Sequence, residues 1–230
     1  MGAILADAWS IYRRNGLLLT AMMLMVWSPC ELLSSWVTYH VLADSEWRCR
    51  LFLFILDALI GSISVSGMYS ILKEREAGRS VTLSSALLAG FNLWMPMFLT
   101  RFISHLAIYI GYLFLILPGV YLTIRLILVE VIVVMEGTSG FAAAFRSEKL
   151  TDGHFWRIGA TLLTAAVTMF VLGYAFFLPI IFVPALNNWI TYAAAAIMGD
   201  VASIFYYPLL WAIYRDIAIK TSPERLSGLS

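Results

Sequence analysis

The chain has 230 residues, of which 61% are hydrophobic and 13% charged, with a mean hydropathy of +0.86, whereas soluble domains run about 45–50% apolar and about 25% charged. Its 15 basic and 14 acidic residues are too few to cover a soluble domain of this length and cluster between long apolar runs, so the bilayer is the solvent. A net charge of +1 and a pI near 7.8 exclude the basic face of a nucleic-acid binder, and Cys30 and Cys49 show neither CxxC nor metal-ligand spacing and read as free thiols.

A spanning helix needs about 20 apolar residues. The apolar runs predict six, at Leu17–Leu42, Leu51–Leu72, Met95–Leu117, Val120–Met135, Ile158–Pro184 and Asn188–Tyr214. The third and fourth are divided only by Pro118 and Gly119, but Trp94 to Met135 as one helix would reach about 63 Å, roughly twice the hydrocarbon thickness, so two spans and a tight Pro-Gly turn are expected. The first run is too long for a signal h-region and lacks a small-x-small cleavage site. Pro29 before Cys30 spoils a lipoprotein signal and Gly2 lacks a myristoylation context, so the run reads as a retained helix.

Orientation follows from Lys and Arg. With the N-terminus in the cytoplasm, Arg13, Arg14, Lys73, Arg75, Arg79, Arg146, Lys149, Arg157, Arg215, Lys220 and Arg225 fall inside, and only Arg48 and Arg50 outside. Both termini are therefore expected on the cytoplasmic side of a cytoplasmic, or inner, membrane. The fold class is an all-α polytopic integral membrane protein, a single membrane domain over residues 1–230.

Before each odd-numbered span lies an amphipathic stretch of one form: Ala3–Thr20, Thr82–Thr100 and Gly140–Leu163, carrying the pairs Ala8-Trp9, Ala86-Leu87 and Ala144-Phe145. These predict three short interfacial helices, Ile4–Tyr12, Leu83–Phe91 and Phe141–Lys149, with Trp9, Trp94 and Trp156 as headgroup-level anchors. Read as repeats, the chain divides into 1–79, 80–137 and 138–230, each an interfacial helix plus two spans, related by a pseudo-threefold axis along the membrane normal. Convergence of short juxtamembrane helices is the competing explanation.

Ionisable residues within spans are functional candidates, and this chain has Glu31, Asp57, Arg125, Glu130 and Asp200, with Arg101 expected to snorkel to the interface. Arg125 is expected to pair with Glu31 or Asp200. Such a set is either structural glue or the lining of a proton or substrate path. Small residues at every fourth position, Ala58, Ser62, Ser66 and Ser70 in span two and Thr191, Ala195, Gly199 and Ser203 in span six, predict close helix approach. No HExxH, GxSxG, GxGxxG or P-loop is found, His40, His105 and His154 are dispersed, and Asp152-Gly153-His154 reads as a turn. No catalytic residue, cofactor or metal site is expected.

The stretch YLFLILPGVYLTIRLILVEVIVVMEGTSGFAAAFRSEKLTDGHFWRIG resembles the membrane domain associated with bacterial glycerophosphoryl diester phosphodiesterases and related small inner-membrane proteins. The matching positions are Pro118, Gly119, Tyr121, Leu122, Arg125, Glu136, Gly137, Ala144, Ser147, Leu150, Gly153 and Trp156, and the opening ADAWSIYRRN and closing WAIYRDIAIK are similar too. The resemblance implies an all-helical bacterial membrane protein without the phosphodiesterase reaction, which in two-domain relatives belongs to a separate soluble barrel. The reading is a non-enzymatic accessory or scaffold protein of the cell envelope, with membrane lipids and a membrane protein partner as its contacts and no nucleic acid. The alternative is a small transporter or lipid-handling protein with a polar cavity where the repeats meet.

Overall fold

The structure, a computed structural model, describes residues 2–221; Arg225, assigned above to the cytoplasmic side, lies outside them. Among the described residues there are helices and no strands: α1 Gly2–His40, α2 Glu46–Leu56, a π-helical segment Asp57–Gly61, α3 Ser62–Glu76, α4 Leu83–Asn92, α5 Trp94–Phe114, α6 Ile116–Arg125, α7 Val129–Glu136, α8 Gly140–Thr151, α9 Phe155–Phe182, a 3₁₀ turn Pro184–Leu186, α10 Trp189–Ser203 and α11 Tyr206–Thr221. Six helical stretches are long and apolar enough to cross a membrane: Gly2–His40, Glu46–Glu76, Trp94–Phe114, Ile116–Glu136, Phe155–Phe182 and Trp189–Ala218. The protein is a multi-pass membrane protein.

Two local expectations are corrected. The first interfacial helix is not separate: α1 runs unbroken from Gly2 through Pro29 to His40. Asn15 donates from its amide to the Ile11 carbonyl at 2.9 Å, keeping the chain helical where a polar break was expected, and a lone Gly16 costs a helix only about 1 kcal/mol. The turn between spans three and four is also displaced. It is made by extended Leu115 alone, while Pro118 and Gly119 sit in the first turn of α6. Proline fits there because first-turn N–H groups have no helical acceptor to lose. Gly119 instead allows close contact, since a Cβ on it would lie 2.4 Å from the Tyr112 ring, and one on Gly111 3.1 Å from the Gly119 Cα.

The core is asymmetric along the chain. Ser62 and Ser64–Leu72 of α3, Val129 and Val131–Val134 of α7, and Leu209–Tyr214 of α11 are buried, and these three helices touch one another. Each is the second half of the second span in its repeat. Around them, α4 turns back along α3, with Gly90 so close that a Cβ would meet the Ile63 carbonyl at 2.5 Å. Helix α8 turns back beside α7, and α11 packs against α1, where Ile4 and Ala8 are buried. The ring thus closes: α3 is covered by α4, α7 by α8 and α11 by α1.

This arrangement changes the roles of the expected anchors. Trp9 and Trp156 are exposed, but the Trp94 indole donates to the Leu59 carbonyl at 2.7 Å, tying the start of α5 to the middle of span two. The buried small residue of α8 is Ala143, one position from the expected Ala144. In span two Ser62, Ser66 and Ser70 are buried as the spacing predicts; in α10, the first half of span six, Gly199 faces open space and Ala193 and Ala195 are the buried residues.

Candidate functional site

All three second spans are interrupted immediately before their buried halves. Span two carries the π-helical segment Asp57–Gly61, span four unwinds over 126–128, and span six over 204–205. π-segments concentrate at functional sites, and irregular backbone at membrane depth is tolerated where it is buried in protein or lines a cavity. The three interruptions bring Asp57, Glu130 and the pair Tyr206 and Tyr207 to one residue, Arg101 of α5.

Arg101 is buried, with a side chain 10% exposed. Its Nη2 donates to Asp57 Oδ2 at 3.0 Å and Oδ1 at 3.3 Å, and its Nε lies 3.3 Å from Glu130 Oε1, whose side chain is 17% exposed. Gly61 leaves room for the pair, because a Cβ would stand 2.7 Å from Asp57 Oδ1 and 2.8 Å from Arg101 Nη1 and one of the two side chains would have to shift. Arg101, Glu130, Ser104, His105, Tyr109, Tyr112, Tyr206 and Tyr207 line a cavity of about 370 Å³ with apolar Val65, Ile108 and Leu126. The Ser104 hydroxyl, fully enclosed, has no hydrogen-bond partner among the described residues.

Arg101 therefore does not snorkel. It is the hub that Arg125 was expected to be. Arg125, at the C-terminus of α6, does not meet Glu31 or Asp200. Its Nη2 reaches Asp152 Oδ1 at 3.1 Å, its Nη1 donates to the Glu148 carbonyl at 3.2 Å and its Nε to Tyr121 Oη at 2.9 Å. The cation thus serves the carbonyl-rich C-terminus of α8. Asp152-Gly153 is the expected turn, Gly153 having φ +72°, but the turn also supplies this carboxylate.

Ser147 repairs the break in span four. Its hydroxyl donates to the Arg125 carbonyl at 2.7 Å and accepts from the Leu128 N–H at 3.3 Å, serving backbone groups that a continuous helix would have paired.

Glu31 and Asp200 lie apart from Arg101's ion pairs. Glu31 lines a second cavity of about 480 Å³ with Ser34, Thr38, Tyr39, Asn187 and Tyr192, and Asp200 stands within electrostatic range of Glu31 and Asp57. A third, apolar cavity of about 670 Å³ lies between Trp9 and Tyr12 of α1 and Met169, Phe176 and Met198 of α9 and α10.

At the other end of the core, Glu136 ends α7 and Gly137 caps it with φ +69°. The Glu136 carboxylate accepts from Arg146 Nε at 2.8 Å and Tyr214 Oη at 3.0 Å, and the Arg146 guanidinium is held above its ordinary pKa by that hydrogen bond. Glu76 likewise accepts from the Trp211 indole at 2.8 Å and pairs with Arg215 at 3.1 Å, while Arg157 pairs with Asp216 at 2.6 Å.

The site residues missed from sequence are Arg101 as hub, its tyrosines, and Ser147 and Asp152. The interior charges carried a signal, since Arg101 and Arg125 were the only span cations available to so many acids. No family model, curated protein or solved structure matches the chain.

Proposed function

We propose that this chain is a non-enzymatic, multi-pass protein of the bacterial cytoplasmic membrane that handles a small polar solute or a lipid headgroup in the Arg101 cavity. The observation that carries this reading is the convergence of three interrupted spans on buried Arg101, which together with Glu130 lines a cavity instead of closing over it. Discontinuous membrane helices are how transporters build substrate sites at the interface of their repeats. Both termini are assigned to the cytoplasm, supported by the basic residues Lys73, Arg75, Arg79, Arg146, Arg157 and Arg215 at one end of the core against Arg48 and Arg50 at the other.

A second reading is an accessory or scaffold for a membrane enzyme or transporter. It is favoured by α9, whose Leu163, Phe170, Val171, Tyr174 and Phe182 are exposed, offering a long apolar face to lipid or to a neighbouring protein. The resemblance to the phosphodiesterase-associated membrane domain is compatible with either reading and adds no reaction.

Native mass spectrometry of the protein released from membranes tests the first reading. Wild type is expected to carry a bound lipid or solute that Glu130→Gln loses and Arg125→Ala, outside the cavity, keeps. Equal retention by all three would remove the cavity from the function.

A further inference from the structure

We infer that the Arg101 cavity is a site for an organic ammonium group, and specifically for the amine of an ethanolamine-type headgroup; this rests on the reading of the cavity as the handling site. The charge count is the first reason. Arg101 lies between Asp57 and Glu130, leaving one negative charge in excess, and Glu130 is the carboxylate that faces the cavity. His105 is the one further side chain lining the space that can become cationic, so with a neutral imidazole the excess stands.

The walls are the second reason. Tyr109, Tyr112, Tyr206 and Tyr207 surround the space, and aromatic faces beside a carboxylate bind ammonium groups through their negative quadrupoles. A metal ion would need several oxygen or nitrogen ligands at close range, and no group of three or more His, Cys, Asp or Glu suited to a metal is found among the described residues. A volume of about 370 Å³ is at the small end of ligand pockets.

The rim favours a source within the bilayer. Tyr109 and Tyr112 are exposed on α5 beside exposed Leu106, Ile110 and Leu113, so the cavity opens on a surface of lipid-facing side chains. The same ammonium chemistry is carried by a free amine, and the test separates the two.

Purified full-length protein is to be titrated at pH 8, where an ordinary imidazole is uncharged, with ethanolamine hydrochloride and tetramethylammonium chloride against glycerol and sodium phosphate at matched ionic strength, following thermal unfolding. In parallel it is reconstituted in nanodiscs of phosphatidylethanolamine or phosphatidylglycerol, and retained lipid is identified by native mass spectrometry. Both ammonium probes should raise the unfolding temperature, and phosphatidylethanolamine should be retained over phosphatidylglycerol. Glu130→Gln should weaken ammonium binding roughly ten- to hundredfold. Tyr112→Leu, which leaves Arg101 and both its acids in place, should weaken it roughly three- to thirtyfold, so the idea stays testable if Glu130→Gln fails to fold. Free amines binding without retention of phosphatidylethanolamine would overturn the headgroup as the source. Phosphate stabilising the protein while the ammonium probes do nothing would overturn the ammonium class and leave the cavity as a handling site. No probe binding, with Tyr112→Leu and wild type carrying the same co-purified molecules, would overturn both.

Discussion

A guanidinium within a membrane span costs roughly 2.5–3.5 kcal/mol on insertion scales, and Arg101 sits buried where the packed half of the protein begins. Asp57 and Glu130 offset that cost, so Arg101→Leu should destabilise by about 3 kcal/mol, chiefly because it strands largely buried Glu130, Asp57 having a side chain 46% exposed. Replacing Arg101, Asp57 and Glu130 together by Leu should cost less than Arg101→Leu alone in a detergent unfolding assay; simple additivity would mean the three are not coupled. Arg125→Leu should cost only about 1 kcal/mol or less, since its partner Asp152 has a side chain 75% exposed. The sequence displayed every one of these charges but not their pairing. Arg101 read as a near-surface residue because it follows Trp94 by two helical turns. That inference failed because α4 turns back along α3 and ties Trp94 to the Leu59 carbonyl in the middle of span two, so that Arg101 two turns on meets Asp57 and Glu130. Glu130 and Asp57 were among the acids singled out, whereas no local pattern could say that they meet at Arg101 or that the cavity beside Glu130 is walled by Tyr206 and Tyr207 from the far end of the chain.

The helices themselves were legible because twenty apolar residues in a row admit few alternatives, and the six observed spans overlap all six expected ones. Their interruptions were not. The break at 126–128 falls in Leu126-Ile127-Leu128, an apolar run without glycine or proline, and it persists because a serine on another helix takes over the orphaned groups. Ser147→Ala removes both of those hydrogen bonds from a buried site and should lower stability by about 1–3 kcal/mol. Thr164→Ala, which loses only an exposed bond to the Ala160 carbonyl of its own helix, should be near neutral; equal effects in a thermal melt would deny Ser147 its clamping role. The π-segment is testable in the same assay. Gly61→Ala drives a methyl group between Asp57 and Arg101 and should cost about 1–3 kcal/mol through the displaced ion pair.

At the scale of the molecule, α4 covers α3, α8 covers α7 and α1 covers α11, and the packed half is built from the latter part of spans two, four and six. The ring has two unlike ends. One gathers Glu76, Glu136, Arg146, Arg157 and Arg215 into ion pairs, and the other carries the short loop before α2 with Arg48 and Arg50. The positive-inside rule assigns the first end to the cytoplasm. Two exposed positions report on the two ends: Asp44 in the loop before α2 and Arg79 in the loop after α3. In a background with Cys30 and Cys49 replaced by serine, Asp44→Cys should react with a membrane-impermeant maleimide on intact spheroplasts, and Arg79→Cys only after lysis. The native thiols give an independent reading, since half-buried Cys49 should label from the same side as Asp44→Cys, and buried Cys30, its thiol donating to the Val26 carbonyl, should not label from either. The reverse pattern, with Arg79→Cys labelled in intact spheroplasts and Asp44→Cys protected, would turn the protein over in the membrane. It would also place the Glu76 and Glu136 ion-pair cluster on the outer face, where the basic residues around it would stand against the charge bias that otherwise orients membrane chains.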